Sequence, residues 1–446
     1  MGGRKISPIL LGLSFWALMG GAWAFIGGPG IAYSYGFIEF ANFTAWIPGV
    51  AIVALLLAPI IRKRGEEFGA KSFSGFITEA HGGGYPLRAL ASSLTVFAYL
   101  IFLIGSVKAV GVTLSSSLGL PFIAAAIFGC LVILIYSLTG GFRAVILTDV
   151  IGCIFLFIIF GGIIALVFMH GGFESVIAQT EASFPELLHP PTGEPYARTF
   201  AGAWISFALI YVFWQLLPEN WQYYLALSKT SKKDIAIFTA ISAISVALIP
   251  YIIFGGILGR LYLPPLSDPD TVMPELFKTF FHPVVYGFFT IGLFTAVMTT
   301  TDSYLIAVSA NIDELLDPIY KKFRMGEGSR MKIARVTMAV FWVICVFLGV
   351  ISPPHLMVKF FALSTMGLCG IIAGPTLFYF VRKGTKNAAF YSLIISTVVL
   401  LGINFSGLVG WIEAPLIAMA VSIGSYWGIT MFEERAGKRS EEQIEG

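Results

Sequence analysis

Charge is scarce in this chain: Asp, Glu, Lys and Arg make up 12% of its 446 residues, about half of what a soluble globular protein carries. Long polar stretches are missing too. The longest are 171–199, 312–332 and the tail after Phe432, so no soluble catalytic or signalling domain is expected, which argues against a nutrient sensor. Cysteine is rare, and Cys130, Cys153, Cys345 and Cys369 fall in apolar stretches without CxxC or zinc-ligand spacing. Neither a disulfide framework nor a structural metal is suggested. No HExxH or GxSxG occurs, and His170, His189, His282 and His355 are scattered, so the chain does not read as an enzyme.

What is present is apolar length. Hydrophobic residues are 57% of the total, more than a soluble core can bury, and a bilayer is the solvent that fits. Twelve stretches are long enough to cross about 30 Å of hydrocarbon: 6–28, 40–61, 86–116, 121–138, 145–169, 200–217, 235–261, 283–308, 333–351, 356–381, 388–403 and 409–431. Of the 28 Lys and Arg, all but Lys108, Arg198, Arg260, Lys278 and Lys359 fall in alternate connections and the two ends. Cationic loops stay cytoplasmic, so both termini are expected inside. The net charge of +3 then reflects topology, and no nucleic-acid partner is implied. The first stretch, with two Gly pairs and a Tyr-rich sequel in place of a small-residue cleavage site, is expected to persist rather than be removed as a signal peptide.

Three segments should depart from regular helix. FWALMGGAWAFIGGPG places Gly20 and Gly21 near mid-membrane. Such a helix either breaks, freeing carbonyls that can hold a cation, or packs closely against a neighbour through its small residues. TAVMTTTDSYLIAVSANI brings the hydroxyls of Thr299, Thr300, Thr301 and Ser303 onto about one turn beside Asp302. Hard oxygens suit small cations, although hydroxyls in helices commonly bond back to the preceding turn. An Asp at this depth is costly and is usually functional or paired. TGGFRAVILTD sets Arg143 near Asp149, as a charge pair or as an ordinary cationic helix start. Lys108 in GSVKAVG needs an outward path, an anionic solute group or a carboxylate partner. Pro218 in WQLLPENWQ should leave a carbonyl near Trp214 unbonded and bend the helix.

These residues resemble the sodium:solute symporter family over most of the chain. TGGFRAVILTDVIG from Thr139 is similar to the family's inner-loop signature. AVMTTTDSYLIAVSA from Ala296 is similar to its ion-site helix. PENWQYYLALSKTSKKD from Pro218 and GPTLFYFVRKGTKNAAFYSLIIS from Gly374 resemble the segments after its sixth and around its tenth core helices.

The resemblance implies an all-α integral membrane fold of about twelve transmembrane helices. Its core would be two inverted five-helix repeats, 6–169 and 200–381, followed by two C-terminal helices in 388–431 and a cytoplasmic tail, 432–446. It implies symport of a small organic solute with Na+ by alternating access across the plasma membrane, with the lipid bilayer as surroundings. The sodium ligands would be carbonyls near Ala17 and Gly20, the Ala296 carbonyl, and the hydroxyls of Thr299 and Thr300. Asp149, with Asp302, would serve ion exit or coupling.

Solute-lining candidates are Trp23, Phe25, Lys108, Tyr211, Trp214, Gln215 and Met366, and Lys108 favours an amino acid or organic acid over a sugar. Proton coupling on the same fold, through Lys108 or Asp302, is the rival expectation. The sequence departs from the family in four respects. The extra helix that usually precedes the core is not seen, and Met19, Gly20 and Gly21 stand where an acidic or hydroxyl residue is common. Tyr223 replaces a frequent Arg, and Ile210 an aromatic residue of the proline-transporting branch.

Overall fold

The Ser7 hydroxyl accepts from Ile9 N at 3.3 Å and Pro8 fills the first turn, so helix α1 (Pro8–Met19) has a defined start. It stops at Gly20, whose ψ of 29° leaves the helical range. The chain resumes as a π-turn, Trp23–Gly27, and as α2 (Gly28–Tyr35), which ends at Gly36. The first span therefore runs from Pro8 to Tyr35 and is broken at the expected glycine pair. The computed structural model describes residues 6–188, 199–227, 231–351, 360–381, 383–410 and 412–445. Arg198, Lys359, His189 and His355 lie outside them, as do parts of the 171–199 and 356–381 stretches.

Helices α3 (Ile38–Thr44), α4 (Trp46–Ile52) and α5 (Ala58–Glu67) make up the second span. A short helix, α6 (Phe73–Ala80), leads into α7 (Tyr85–Leu118). The next element, α8 (Phe122–Met169), holds two spans separated at Gly141, where φ is 61° and ψ −178°. Only glycine adopts that conformation without strain, which fixes the turn inside TGGFRAVILTD.

After α9 (Gly172–Ser183), the pair α10 (Phe200–Trp214) and α11 (Pro218–Ala226) is bent by 53° just before Pro218. The chain continues through α12 (Lys232–Leu248), α13 (Ile253–Tyr262), α14 (Val272–Phe280), α15 (Pro283–Lys322) and α16 (Glu327–Ile351). It closes with α17 (Gly367–Val381), α18 (Lys386–Ser406) and α19 (Glu413–Glu445). Among the described residues there is no β-strand, only a single bridge between Ile6 and Leu227.

Among the described residues, ten helical segments are long and apolar enough to cross a membrane, or eleven if the bent α10–α11 pair counts as one span. Their outer faces expose large apolar side chains such as Ile154, Val340 and Phe347, which water would penalise and lipid does not. The chain is a multi-pass membrane protein. At its centre α15 packs on α7, α8 and α1, while α1 also rests on α12 and α2 on α13. The last three helices pack chiefly on one another. The two broken elements, α1–α2 and α10–α11, thus flank one central helix.

Candidate functional site

Where α1 stops, α15 passes beside it, and their oxygens meet. The Thr299 hydroxyl lies 3.2 Å from the Ala17 carbonyl and 3.2 Å from the Ala296 carbonyl. The Thr300 hydroxyl is 3.2 Å from the same Ala296 oxygen and accepts from Ala22 N at 3.2 Å. Four of the five expected sodium donors are therefore brought together, all on buried residues. The fifth, Gly20, forms the break itself. Its N–H caps α1 on the Trp16 carbonyl at 2.8 Å, and among the described residues no bond of Gly20 reaches α15. Neutral hard oxygens in a dry setting fit a small cation such as sodium. Among the described residues no cluster of His, Cys, Asp and Glu could hold a transition metal.

Beside this set runs a second polar group. Ser14 of α1 donates to Asp149 at 2.5 Å and lies 3.2 Å from the Tyr223 hydroxyl, which is 3.1 Å from Ser303. Tyr136 donates to Asp302. Both Asp149 and Asp302 are fully buried, and each has one carboxylate oxygen without a hydrogen-bond partner. Asp149 is thus engaged by Ser14, and the pairing with Arg143 does not form.

On the other side of Thr300 and Gly21 lies a small cavity of about 10 Å³, at the lower limit for one water molecule. Trp23, Trp46, Phe102, Trp214, Tyr304 and Phe361 supply its aromatic walls, with Leu18 and Met19 beside them. The rings of Trp23 and Phe361 stack at 4.1 Å. Of the seven solute-lining candidates, Trp23 and Trp214 reach this cavity and five do not.

Phe25 packs against Gly20, and Met366 is buried in the π-turn Ala362–Met366. Tyr211 forms a second layer, donating to Asn42 and packing on Trp46 and Trp214. Gln215 accepts from Tyr224 at 3.2 Å. Lys108 is drawn away by charge, pairing with Asp270 at 2.5 Å and Asp268 at 3.0 Å. The Trp214 carbonyl freed by Pro218 is not left unbonded either, because it accepts from Asn220 Nδ2 at 2.8 Å and from Leu217 N at 2.9 Å.

The family model described as "Sodium:solute symporter family" matches residues 1–396. The chain belongs to that family. As a symporter it is a transporter rather than an enzyme, and sodium is its coupling ion. It is similar to the sodium/pantothenate symporter of Haemophilus influenzae, at 28% identity over 70% of this chain and 64% of that protein. It is also similar to the high-affinity proline transporter PutP of Bacillus subtilis, at 24% identity over 100% of this chain and 94% of that protein.

Among solved structures, a Na+-coupled sialic acid symporter in a substrate-bound outward-open state shares the fold, with a TM-score of 0.75 at 18% identity over 95% of this chain and 89% of that one. Mhp1, a nucleobase-cation-symport-1 family transporter in a closed conformation, superposes with a TM-score of 0.60 at 13% identity, covering 97% of this chain and 94% of that one.

Several residues of the symporter's site were not legible beforehand. Ser14 lies in an otherwise apolar helix, and Tyr136, Trp46, Phe102 and Phe361 belong to stretches without a motif. Glu219 and Asn220 stand within PENWQ, but only the bend at Pro218 turns them into the interior, where both are buried. A polar pair directly after a membrane-depth proline was the available signal.

Proposed function

We propose that this symporter carries a small carboxylate-bearing organic solute, an amino acid or organic acid in preference to a sugar, inward with sodium across the plasma membrane. The carrying observation is that Thr300, one of the clustered oxygens that would hold the ion, also lines the cavity together with Gly21. Sodium held by Ala17, Ala296, Thr299 and Thr300 would fix the break of α1 against α15 and thereby shape the solute cavity. Each ligand then raises the affinity for the other. Moving one charge inward contributes about 2.3 kcal/mol per 100 mV of membrane potential, enough to concentrate solute more than tenfold. Asp149, bonded to Ser14 of α1, and Asp302, on the same helix as Thr299 and Thr300, would serve the ion's inward path.

The solute class rests on the relatives, which are named for proline and pantothenate. Lys108, occupied by Asp268 and Asp270, no longer supports it. Twelve crossings with both termini cytoplasmic are supported by ten long apolar helices, the bent α10–α11 pair and the shorter Ala362–Thr376 helix. The distribution of basic residues agrees. The division into inverted repeats at 6–169 and 200–381 follows from the family resemblance.

The test is uptake of labelled solutes by proteoliposomes, with external sodium or with rubidium in its place, across a pH series. Uptake should require sodium, and Thr300→Ala should raise the sodium concentration for half-maximal rate about tenfold or more, the effect of losing roughly 1.4 kcal/mol. Uptake that follows the proton gradient and ignores sodium would reassign the coupling ion.

A further inference from the structure

The cavity's walls are more specific than apolar packing requires. Six aromatic rings line it, and the indole N–H of Trp23 has no hydrogen-bond partner. Directly behind the wall, at the start of α11, stands Glu219, 1% exposed. One of its carboxylate oxygens accepts from Tyr99, itself packed on the cavity residue Tyr304 with ring centroids 4.6 Å apart, while the other has no partner. Tyr304 and Trp214 lie beside the carboxylate. Among the described residues no Lys or Arg pairs with Glu219. A carboxylate buried at membrane depth without a counter-charge is costly and calls for a cation.

Resting on the symport reading above, we propose that this cavity is an aromatic cage for the ammonium group of a zwitterionic solute, with Glu219 as its counter-charge. Aromatic faces attract a cation through their quadrupole, and a desolvated, multi-ring enclosure is where that attraction is strongest. An uncharged solute would leave Glu219 uncompensated. The free indole donor of Trp23 suits the carboxylate at the other end of the same molecule, since an N–H donor to an ionised acceptor forms the stronger class of hydrogen bond. So small a volume requires the stacked rings of Trp23 and Phe361 to part on binding, which makes tryptophan fluorescence a direct reporter.

The experiment uses the full-length protein in lipid nanodiscs, in sodium chloride or rubidium chloride, because choline as a sodium substitute would itself be a probe. Tryptophan fluorescence and the thermal unfolding midpoint are read against glycine, proline, glycine betaine, choline and glucose. The tert-butyl isosteres of betaine and choline, with carbon in place of nitrogen, complete the panel. At least one zwitterionic ammonium compound should shift both readouts in sodium, with its neutral-headed isostere inert. Choline should bind more weakly than betaine. Glu219→Gln should raise the Kd of the active compound about tenfold or more while the shift caused by sodium alone persists.

Equal binding of the tert-butyl isosteres, binding of glucose alone, silence of every ammonium compound, or an unchanged Kd in Glu219→Gln would each overturn the cage. Should Glu219→Gln fail to fold, the isostere comparison in the unaltered protein decides by itself. Absence of any response to sodium alone would count against the sodium site and the symport reading, a result separable from loss of ammonium selectivity.

Discussion

Gly21 and Thr300 touch across the break in the first helix so closely that a β-carbon at position 21 would lie 1.4 Å from the Thr300 hydroxyl oxygen and 2.8 Å from its Cβ. Nothing larger than hydrogen fits unless α1 and α15 separate or Thr300 turns away. Both helices are held by neighbours on their other sides, α1 by α12 and α15 by α7 and α8, so the hydroxyl is expected to yield first.

Gly21→Ala should therefore remove Thr300 from the oxygen cluster while leaving the helices in place. The apparent sodium affinity, read from the thermal shift produced by sodium alone, should fall about tenfold or more, with helical content by circular dichroism unchanged. An unaltered sodium titration would exclude Thr300 as a ligand and leave the cavity without a direct link to the ion.

How much of this was legible depends on whether a residue's partner lies nearby in sequence. The break of α1 could be read because a glycine pair at mid-membrane weakens a helix wherever it stands. The oxygen set could be read because Thr299 and Thr300 share one turn and resemble a family helix. The cavity could not. Trp46, Phe102 and Phe361 come from three elements that meet only through tertiary packing, and aromatic residues in a membrane core show no local sign of facing inward. Lys108 was recognisable as a buried charge needing a partner. That the partners are Asp268 and Asp270, some 160 positions away on a connecting segment, is a property of the fold alone.

That ion pair carries the next prediction. Lys108 and Asp270 are buried and Asp268 is partly exposed, so removing the lysine strands carboxylates that have lost their solvent. Lys108→Met should destabilise strongly, on the order of 3–5 kcal/mol, as when one partner of a buried pair is deleted. Adding Asp270→Asn to Lys108→Met should restore part of that loss, because a neutral amide costs less to bury than an unpaired carboxylate. Thermal unfolding in one detergent compares the three proteins. A double variant less stable than Lys108→Met would show that Asp270 has a stabilising role beyond the pair.

His81 sits outside the membrane-spanning helices, at the end of α6, and ties that helix to the C-terminal part of the chain. Its Nδ1 is 2.8 Å from the Ile77 carbonyl and its Nε2 2.7 Å from the Tyr426 hydroxyl, whose oxygen also accepts from Gly384 N at 2.9 Å. With Nδ1–H donating to Ile77, the neutral imidazole leaves Nε2 free to accept from tyrosine. Burial is the main force holding the imidazole below its ordinary value of 6.5, and the charge of Lys383 acts in the same direction against the opposing Ile77 bond.

The sign of the pH effect follows from that depression. In the unfolded chain His81 takes up its proton near 6.5, whereas in the folded protein it does so only at lower pH. Below the ordinary value the unfolded state therefore binds more protons. The contribution of the neutral contact is fully present above 6.5 and declines as pH falls from there through the folded-state value. The thermal midpoint should drop on acidification from about pH 8 to about pH 5, and His81→Gln, which keeps an acceptor for Tyr426 but cannot titrate, should flatten that part of the profile. If the two proteins lose stability in parallel over the whole range, the acid sensitivity originates in other groups and His81 is protonated in neither state or in both.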